Sequence, residues 1–428
     1  MKEEIKERIE QICRCDIPEG YKKENGWIIP NNWSMRKGTN LFSFIRNGFV
    51  GTVTPYYCKD GIRYLQGTNI KNGKIVSEEV FFVTNEFHTK HPNSQLRTGD
   101  IVVIQSGAVG ECAVINKEYN GGNCHALIIM SPHDKTNSLW FSNLLNSPYS
   151  SKLLRGIITG NTIKHILASD MKKLEIPTPS VTEQKKIANI LTTQDRVIEL
   201  KEKRLAEKQR QKKYIMQQLL TGKKRLPRFS GEWKANRLRN IATRHTKRNA
   251  IGNTNVLTIS AQYGLINQAE FFNKAVASDD KSNYFLLEKG DFAYNKSYSN
   301  GYPFGAIKRL TRYEVGIVSP LYICFRIKEG SVSGEYLEQY FEAGLMNHEI
   351  QAFAKEGARN HGLLNIAVDD FFNSKILLPS PEEQTSIAEV LSTADREIDL
   401  LRQDIEQEKK KKKALMQLLL TGIVRVKV

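Results

Sequence analysis

The chain has 428 residues, too many for one hydrophobic core, so about two to four domains are expected. Its 40% hydrophobic and 25% charged content is that of a globular protein, but the net charge of +17 is not ordinary. A basic excess of that size makes a polyanion the expected partner, with nucleic acid ahead of a membrane surface because no apolar run approaches the length of a bilayer span.

The first 19 residues form an extension whose opening stretch, Met1 to Glu10, is charged and amphipathic, with Ile5 and Ile9, unlike a secretory signal. The six cysteines (Cys13, Cys15, Cys58, Cys112, Cys124, Cys324) are sparse. Cys13 and Cys15 lack a second pair at zinc spacing, and Cys112 with Cys124-His125 is a weaker metal pattern still, so buried thiols are the simpler reading. No metal is expected, and the chain reads as cytoplasmic and reduced.

Residues 20–179 open near Trp33, carry a strand-like run at Arg63–Ile70, and place a Leu-x-x-Gly-Asp turn (Leu96 to Asp100) before Ile101-Val-Val-Ile. Loops that mix basic, amide and hydroxyl groups suit base reading, because such side chains match groove-edge donors and acceptors. Here these are Gln66, Thr68 and Asn69, then Gln105 and Ser106, then Thr159, Asn161, Thr162 and Lys164.

At residues 180–222 the pattern changes. Ser180-Val-Thr-Glu183 fits a capping box, about 40 residues without Pro or Gly follow, and Leu219-Leu-Thr-Gly222 ends the run with a glycine suited to a left-handed cap. That predicts a helix roughly 60 Å long.

Residues 223–379 repeat the earlier outline. Trp233 stands in the register of Trp33, Asn255–Gln262 is strand-like, and Leu287 to Asp291 repeats the turn before Phe292-Ala-Tyr, with a helix at Leu337–Phe341. The corresponding loop candidates are Ser260, Gln262 and Tyr263, then Lys296, Tyr298 and Asn300, then Arg359, Asn360 and His361. Many short β runs with late helices point to α+β domains.

Residues 380–428 then repeat the helix. Ser380-Pro-Glu-Glu383 matches a second capping box with Pro381 at the first helical position, and Leu418-Leu-Leu-Thr-Gly422 ends it. Glu183-Gln184, Ile187-Ala188, Leu191, Asp195-Arg196, Ile198, Met216, Leu219-Leu220-Thr221-Gly222 and Arg225 each recur 200 positions later. Such register implies one structural unit used twice. Both copies follow a heptad with Ile187, Leu191, Ile198, Leu205, Ile215 and Leu219 facing Ile387, Leu391, Ile398, Leu401, Ile405, Leu415 and Leu419. Gln194, Lys201, Lys208 and Lys212 hold polar seam positions in the first copy, as Glu408 and Lys412 do in the second, where Ala394 also lies on the seam. One such helix cannot bury its stripe alone, so the two are expected to pair. An antiparallel pair needs only a short return from 223–379, a segment with a radius of gyration near 15 Å, whereas a parallel pair needs roughly 60 Å. That layout puts the two domains at opposite tips of the rod under an approximate two-fold axis.

No catalytic signature is present: no Walker A loop, no G-x-G-x-x-G after a strand, no H-x-x-x-H. Thr54-Pro-Tyr-Tyr and Ser319-Pro-Leu-Tyr match an amino-methyltransferase tetrad poorly, and the acid-lysine patterns are those of solvated helices. Basic groups concentrate at Lys201, Lys203, Arg204, Lys208, Arg210, Lys212 and Lys213 and at Lys409 to Lys413; phosphate contact and a solvated face are balanced readings.

The Pro-Ser-x-x-Glu-Gln-x-x-Ile-Ala-x-x-Leu…Asp-Arg…Leu-Leu-Thr-Gly pattern at Pro179 to Gly222 and its repeat at Pro379 to Gly422 resemble the specificity subunit of type I restriction–modification enzymes. Arg228-Phe-Ser-Gly-Glu-Trp233 and Gly290–Gly305 look similar to that family too. The resemblance implies two α/β target recognition domains separated by two long antiparallel coiled-coil helices with pseudo-two-fold symmetry, α+β overall. It implies that each domain reads one half of a bipartite asymmetric site in double-stranded DNA. It further implies that the helices set the spacer and dock two methyltransferase subunits. The cofactors, S-adenosylmethionine, ATP and Mg, would belong to those methyltransferases and to the restriction subunits; the chain itself would be non-catalytic. The extension before residue 20 departs from the family pattern. An architectural DNA binder that uses its helices, a fused methyltransferase–nuclease and a protein scaffold are the alternatives; the first is the strongest.

Overall fold

The structure, a computed structural model, describes residues 3–427 apart from 77, 161–163, 261–262, 273–279, 300 and 357–363. It divides into two compact units, Met1–Glu202 with Gln403–Val428, and Lys203–Arg402. Each unit therefore takes one half of each long helix.

In the first unit, α1 (Glu3–Cys13) precedes a hairpin of β1 (Tyr21–Glu24) and β2 (Trp27–Pro30). Next come β3 (Ser34–Lys37), the short α2 (Gly38–Leu41) and β4 (Phe42–Asn47). An outer layer follows: β5 (Tyr57–Cys58), β6 (Ile62–Leu65), the β7–β8 hairpin (Ile70–Lys71, Lys74–Ile75), β9 (Phe81–Val83) and α3 (Asn85–Lys90). The chain continues through β10 (Ile101–Ile104), β11 (Cys112–Val114), β12 (Asn123–Cys124), β13 (Leu127–Pro132), α4 (Ser138–Leu145), α5 (Ser150–Leu154), α6 (Ala168–Lys173) and β14 (Glu175–Thr178). An antiparallel sheet of order β11–β10–β13–β4 forms the centre. Ile101 and Val103 face a core with α4, α5 and α6, while Val102 and Ile104 face the outer layer. An unbroken Ile-Val-Val-Ile run suits a central strand covered on both faces, since neither side meets water.

The helix α7 (Val181–Leu219) leads into the second unit, which repeats the frame. It comprises β15 (Lys234–Arg237), α8 (Leu238–Ile241), β16 (Ala242–Arg244), β17 (Leu257–Ser260), β18 (Gly264–Asn267), α9 (Gln268–Phe272), β19 (Phe285–Glu288), β20 (Phe292–Asn295), β21 (Ala306–Arg309), β22 (Val315–Val318) and β23 (Ile323–Ile327). α10 (Gly334–Glu342), α11 (Asn347–Phe353), β24 (Lys355–Glu356), β25 (Leu364–Asn365), α12 (Val368–Asn373), β26 (Lys375–Leu378) and α13 (Pro381–Leu420) complete it. Its central sheet has the order β21–β20–β23–β16, the counterpart of the first. In both units the strand after the tryptophan pairs with the strand before the long helix, β3 with β14 and β15 with β26. The outer layers differ: the first unit has a four-stranded sheet, β12–β6–β9–β5, whereas the second has the pairs β17–β18 and β19–β22.

Both long helices stop as the glycines predict. Gly222 and Gly422 take φ of +71° and +74°, and the Lys224 and Val424 amides bond back to the carbonyls of Gln218 and Leu418, closing the last turn. At the other end the sequence expectation is only half met. Ser180 and Ser380 each accept the amide of the glutamate three residues on, but Glu183 and Glu383 do not return the bond and turn inward instead.

Each glutamate is 1% exposed and meets an arginine and the domain's tryptophan. Arg425 Nε and Nη2 donate to both Glu183 oxygens at 2.7 and 2.8 Å, and Trp33 Nε1 donates to the same carboxylate at 3.1 Å. In the second unit Arg225 binds Glu383 at 2.5 and 2.6 Å, and Trp233 at 3.3 Å. The neighbouring glutamines take the next element. Gln184 Oε1 accepts from the Asn137 amide, the N-cap of α4, and Gln384 Oε1 from the Ser333 amide, the N-cap of α10. The repeated Glu-Gln thus fastens a domain to a helix.

The N-terminal extension has a defined place. Arg8 donates to the Ile423 carbonyl and Tyr21 to that of Gly422, both at 2.6 Å, so the segment covers the end of α13. Of the cysteines, Cys112, Cys124 and Cys324 are buried, Cys58 is half-buried, and Cys13 and Cys15 are exposed. Burial pushes the Cys112 thiol up to about 12.

Glu183→Gln and Glu383→Gln should each cost about 2 kcal/mol, the worth of hydrogen bonds to a charged group. Hydrogen exchange should find the loss in residues 20–202 for the first substitution and in 203–402 for the second.

Candidate nucleic-acid interface

Strand direction gathers the loops of interest at one end of each central sheet. In the first unit, β4 and β10 end where β13 begins: Asn47 pairs with Ile128 and Ile104 with Leu127. The segments after β4, after β10 and before β13 emerge there together. Gln105 accepts the Ile166 amide, and His165 pairs with both Ser106 and Thr159, joining the 159–166 segment to the group. His125 donates its amide to Leu65, which brings Gln66 and Thr68 alongside.

The second unit has the same convergence. β16 and β20 end beside the start of β23, with Arg244 opposite Phe325 and Tyr294 opposite Ile323. The Lys296 carbonyl accepts from the Leu364 amide, the counterpart of the Gln105–Ile166 bond. Tyr322, just before β23, is hydrogen-bonded to the Thr258 side chain and the Ile259 backbone, which sets the β17–β18 turn beside this end.

The candidates fare differently as surface groups. Ser106, Thr159, Lys164, Thr68, Tyr263 and Tyr298 are exposed, and Gln105 and Lys296 half-buried. Gln66 is half-buried and donates to Tyr57 Oη at 2.7 Å. Asn69 and Ser260 are buried and used internally: Asn69 accepts the Gln66 amide and donates to the Glu79 carbonyl, and Ser260 Oγ accepts the Tyr263 amide. Their polarity serves turn formation, a use that loop composition does not distinguish from display. Asn161, Thr162, Gln262, Asn300, Arg359, Asn360 and His361 lie outside the described residues.

Within the first unit α7 and α13 run antiparallel, since Asp195 pairs with Lys412 at 2.6 Å and Lys201 with Asp404 at 2.7 Å. Within the second, Lys212 pairs with Asp395, 200 positions on from the Asp195–Lys412 pair, and Lys208 with Glu397 at 2.9 Å. The seam lysines Lys201, Lys208, Lys212 and Lys412 are thus held in interhelical ion pairs. Among the apolar seam residues, Ile187, Leu191, Ile198, Leu219, Ile387, Leu391, Ile398, Ile405 and Leu419 are buried, and Leu205, Ile215, Leu401 and Leu415 half-buried. The helix ends do more than pair. Ile187 and Leu191 join Leu419 in the first domain's core, and Leu219 joins Ile387 and Leu391 in the second's.

Residues 30–209 match the family model of the type I restriction modification DNA specificity domain. The chain is 28% identical over 222 residues to the type I restriction enzyme MjaVIII specificity subunit of Methanocaldococcus jannaschii, covering 48% of this chain and 49% of that one. It is 24% identical to the putative MjaX specificity subunit of the same organism, over 96% of this chain and 97% of the relative. The fold resembles the type I restriction–modification S subunit of M. genitalium, with a TM-score of 0.52 at 14% identity over 95% of this chain and 99% of that structure. The chain is thus similar to type I restriction–modification specificity subunits, over nearly its whole length in one relative and over about half of the length of another.

The chain carries exposed residues at its loop ends that loop polarity did not suggest: Val50, Ile251 and Leu321. Composition sends aliphatic residues to the core, so only the β-strand–Gly context around Val50-Gly51 and Ile251-Gly252 could have marked them. No described helix is long and apolar enough to cross a membrane.

Glu408 gives the helix pair of the first unit an acid-sensitive point. The Gln194 amide and the Lys201 ammonium hold its carboxyl down at about 2, from an ordinary 4.5. A depressed carboxyl contributes stability above its unfolded value and loses it as pH falls through the folded one. Melting temperatures of the wild type and Glu408→Gln should therefore differ above about pH 5 and converge on acidification toward pH 2.

Proposed function

We propose that this chain is the DNA-reading subunit of a type I restriction–modification complex, non-catalytic in itself. Each recognition domain reads one half of a bipartite, asymmetric site. The helices set the spacer between the halves and dock two methyltransferase subunits, which use S-adenosylmethionine. Restriction subunits using ATP and Mg join the same assembly.

One observation carries the reading: two units share a central sheet, a Trp–Glu–Arg anchor and a convergent loop end, yet differ in the strands and most of the described loops outside that frame. Shared frames with divergent tips are what two readers of different sequences need, because frame positions the reader and loops select the base edges. The basic excess supports a polyanionic partner. Five helix lysines, Lys201, Lys208, Lys212, Lys409 and Lys412, are in contrast engaged with acidic groups of the facing helix, which counts against an architectural binder that grips DNA by those positions.

Methylated adenines mapped across the genome with and without this chain should reveal one bipartite motif that depends on it. Replacing residues 20–179 by the corresponding domain of a relative should change one half of that motif and leave the other intact. An unchanged motif would refute the reading. Inserting one heptad at the middle of each of the two long helices should alter the spacer alone, as recovered from selection of bound random duplexes.

A further inference from the structure

The loops that follow β4 and β16 differ in length and sequence, but each presents a β-branched aliphatic residue followed by glycine: Val50-Gly51 and Ile251-Gly252. Val50 is 65% exposed and Ile251 66%. Isolated apolar side chains at a surface are common and need no explanation by themselves. Recurrence at the same place in both units does.

Both side chains are also held out by rigid mounts. Beside Val50, the Phe49 amide donates to the Cys124 carbonyl and the Phe49 carbonyl accepts the Ala126 amide, while its ring packs on Phe87 and His91 at 4.9 and 4.5 Å. Ile251 sits at the tip of a turn closed by the buried Asn249. That side chain donates to the Asn253 carbonyl and accepts the Asn253 amide, and its own backbone amide bonds to Tyr284. Gly51 and Gly252 have φ of +150° and +67°, conformations that favour glycine and turn the chain sharply after the exposed residue.

We propose that Val50 and Ile251 are wedges that enter a base step of each half-site and partly unstack it. The proposal rests on the DNA-reading function above. Apolar side chains inserted between base pairs kink and loosen duplexes, and a loosened step lowers the cost of extruding a nucleotide toward an enzyme that modifies it. A contact to a thymine methyl group would use the same chemistry. Two domains reading different sequences have no reason to share one base contact, however, whereas both halves of a site can share a step that must open.

The test uses the full chain with its methyltransferase subunits and duplexes of the mapped motif carrying 2-aminopurine at successive positions. The wild type should raise fluorescence several-fold at one step in each half-site. Val50→Ser should abolish the rise in one half only, and Ile251→Ser in the other. Val50→Ile and Ile251→Val should retain it, and binding of each serine variant should fall less than tenfold with unchanged melting temperature. No rise with the wild type, or a rise that survives both serine variants, would overturn the wedge. So would uracil in place of thymine weakening binding as much as the serine variants do. Failure of the wild type to bind the motif duplex at all would instead sink the DNA-reading function itself, a result read separately from fluorescence.

Discussion

A carboxylate buried at the start of each long helix, bonded by an arginine from beyond the other helix's end and by the tryptophan that opens the domain, is the joint on which the architecture rests. A charge taken out of water is costly unless its lone pairs are filled, and here three donors fill them. The geometry is therefore demanding. It fixes the helix start, the opposing helix's end and the recognition domain to one another in each unit. The glutamine beside each glutamate extends the joint to the N-cap of a domain helix.

The helix pair shows a division of labour along its length. Near the domains the seam is aliphatic and merges with the domain cores, so helix and domain are stabilised by the same buried surface. Toward the middle, polar and charged residues take the seam positions and pair across it. Ion pairs at exposed seams add little stability, but they penalise the wrong register, since a shift by one heptad would break the lysine–carboxylate matches.

At the reading end, rigidity and variety coexist. The central sheet and its hydrogen bonds hold the bases of the loops in both units, while the strands and loops outside it differ. Buried amides such as Asn69 and Asn249 spend their polarity inside the loops, whereas Ser106, Lys164, Tyr298 and the aliphatic Val50 and Ile251 stand exposed.

Sequence alone determined the long helices, their caps, the heptad seam and the two-domain repeat, because periodicity, Gly and the Ser-x-x-Glu signal act locally and recur 200 positions apart. It also ranked a polyanion first among partners, since net charge survives any fold. Only tertiary structure decided that Glu183 and Glu383 abandon the capping box for Arg and Trp, that seam lysines are spent in ion pairs, and that Asn69 and Ser260 are interior while Val50 and Ile251 stand exposed. Those outcomes depend on which distant segments meet. A side chain's partners are set by packing across the fold, and residue type records what a group can bond with but not what is brought within its reach.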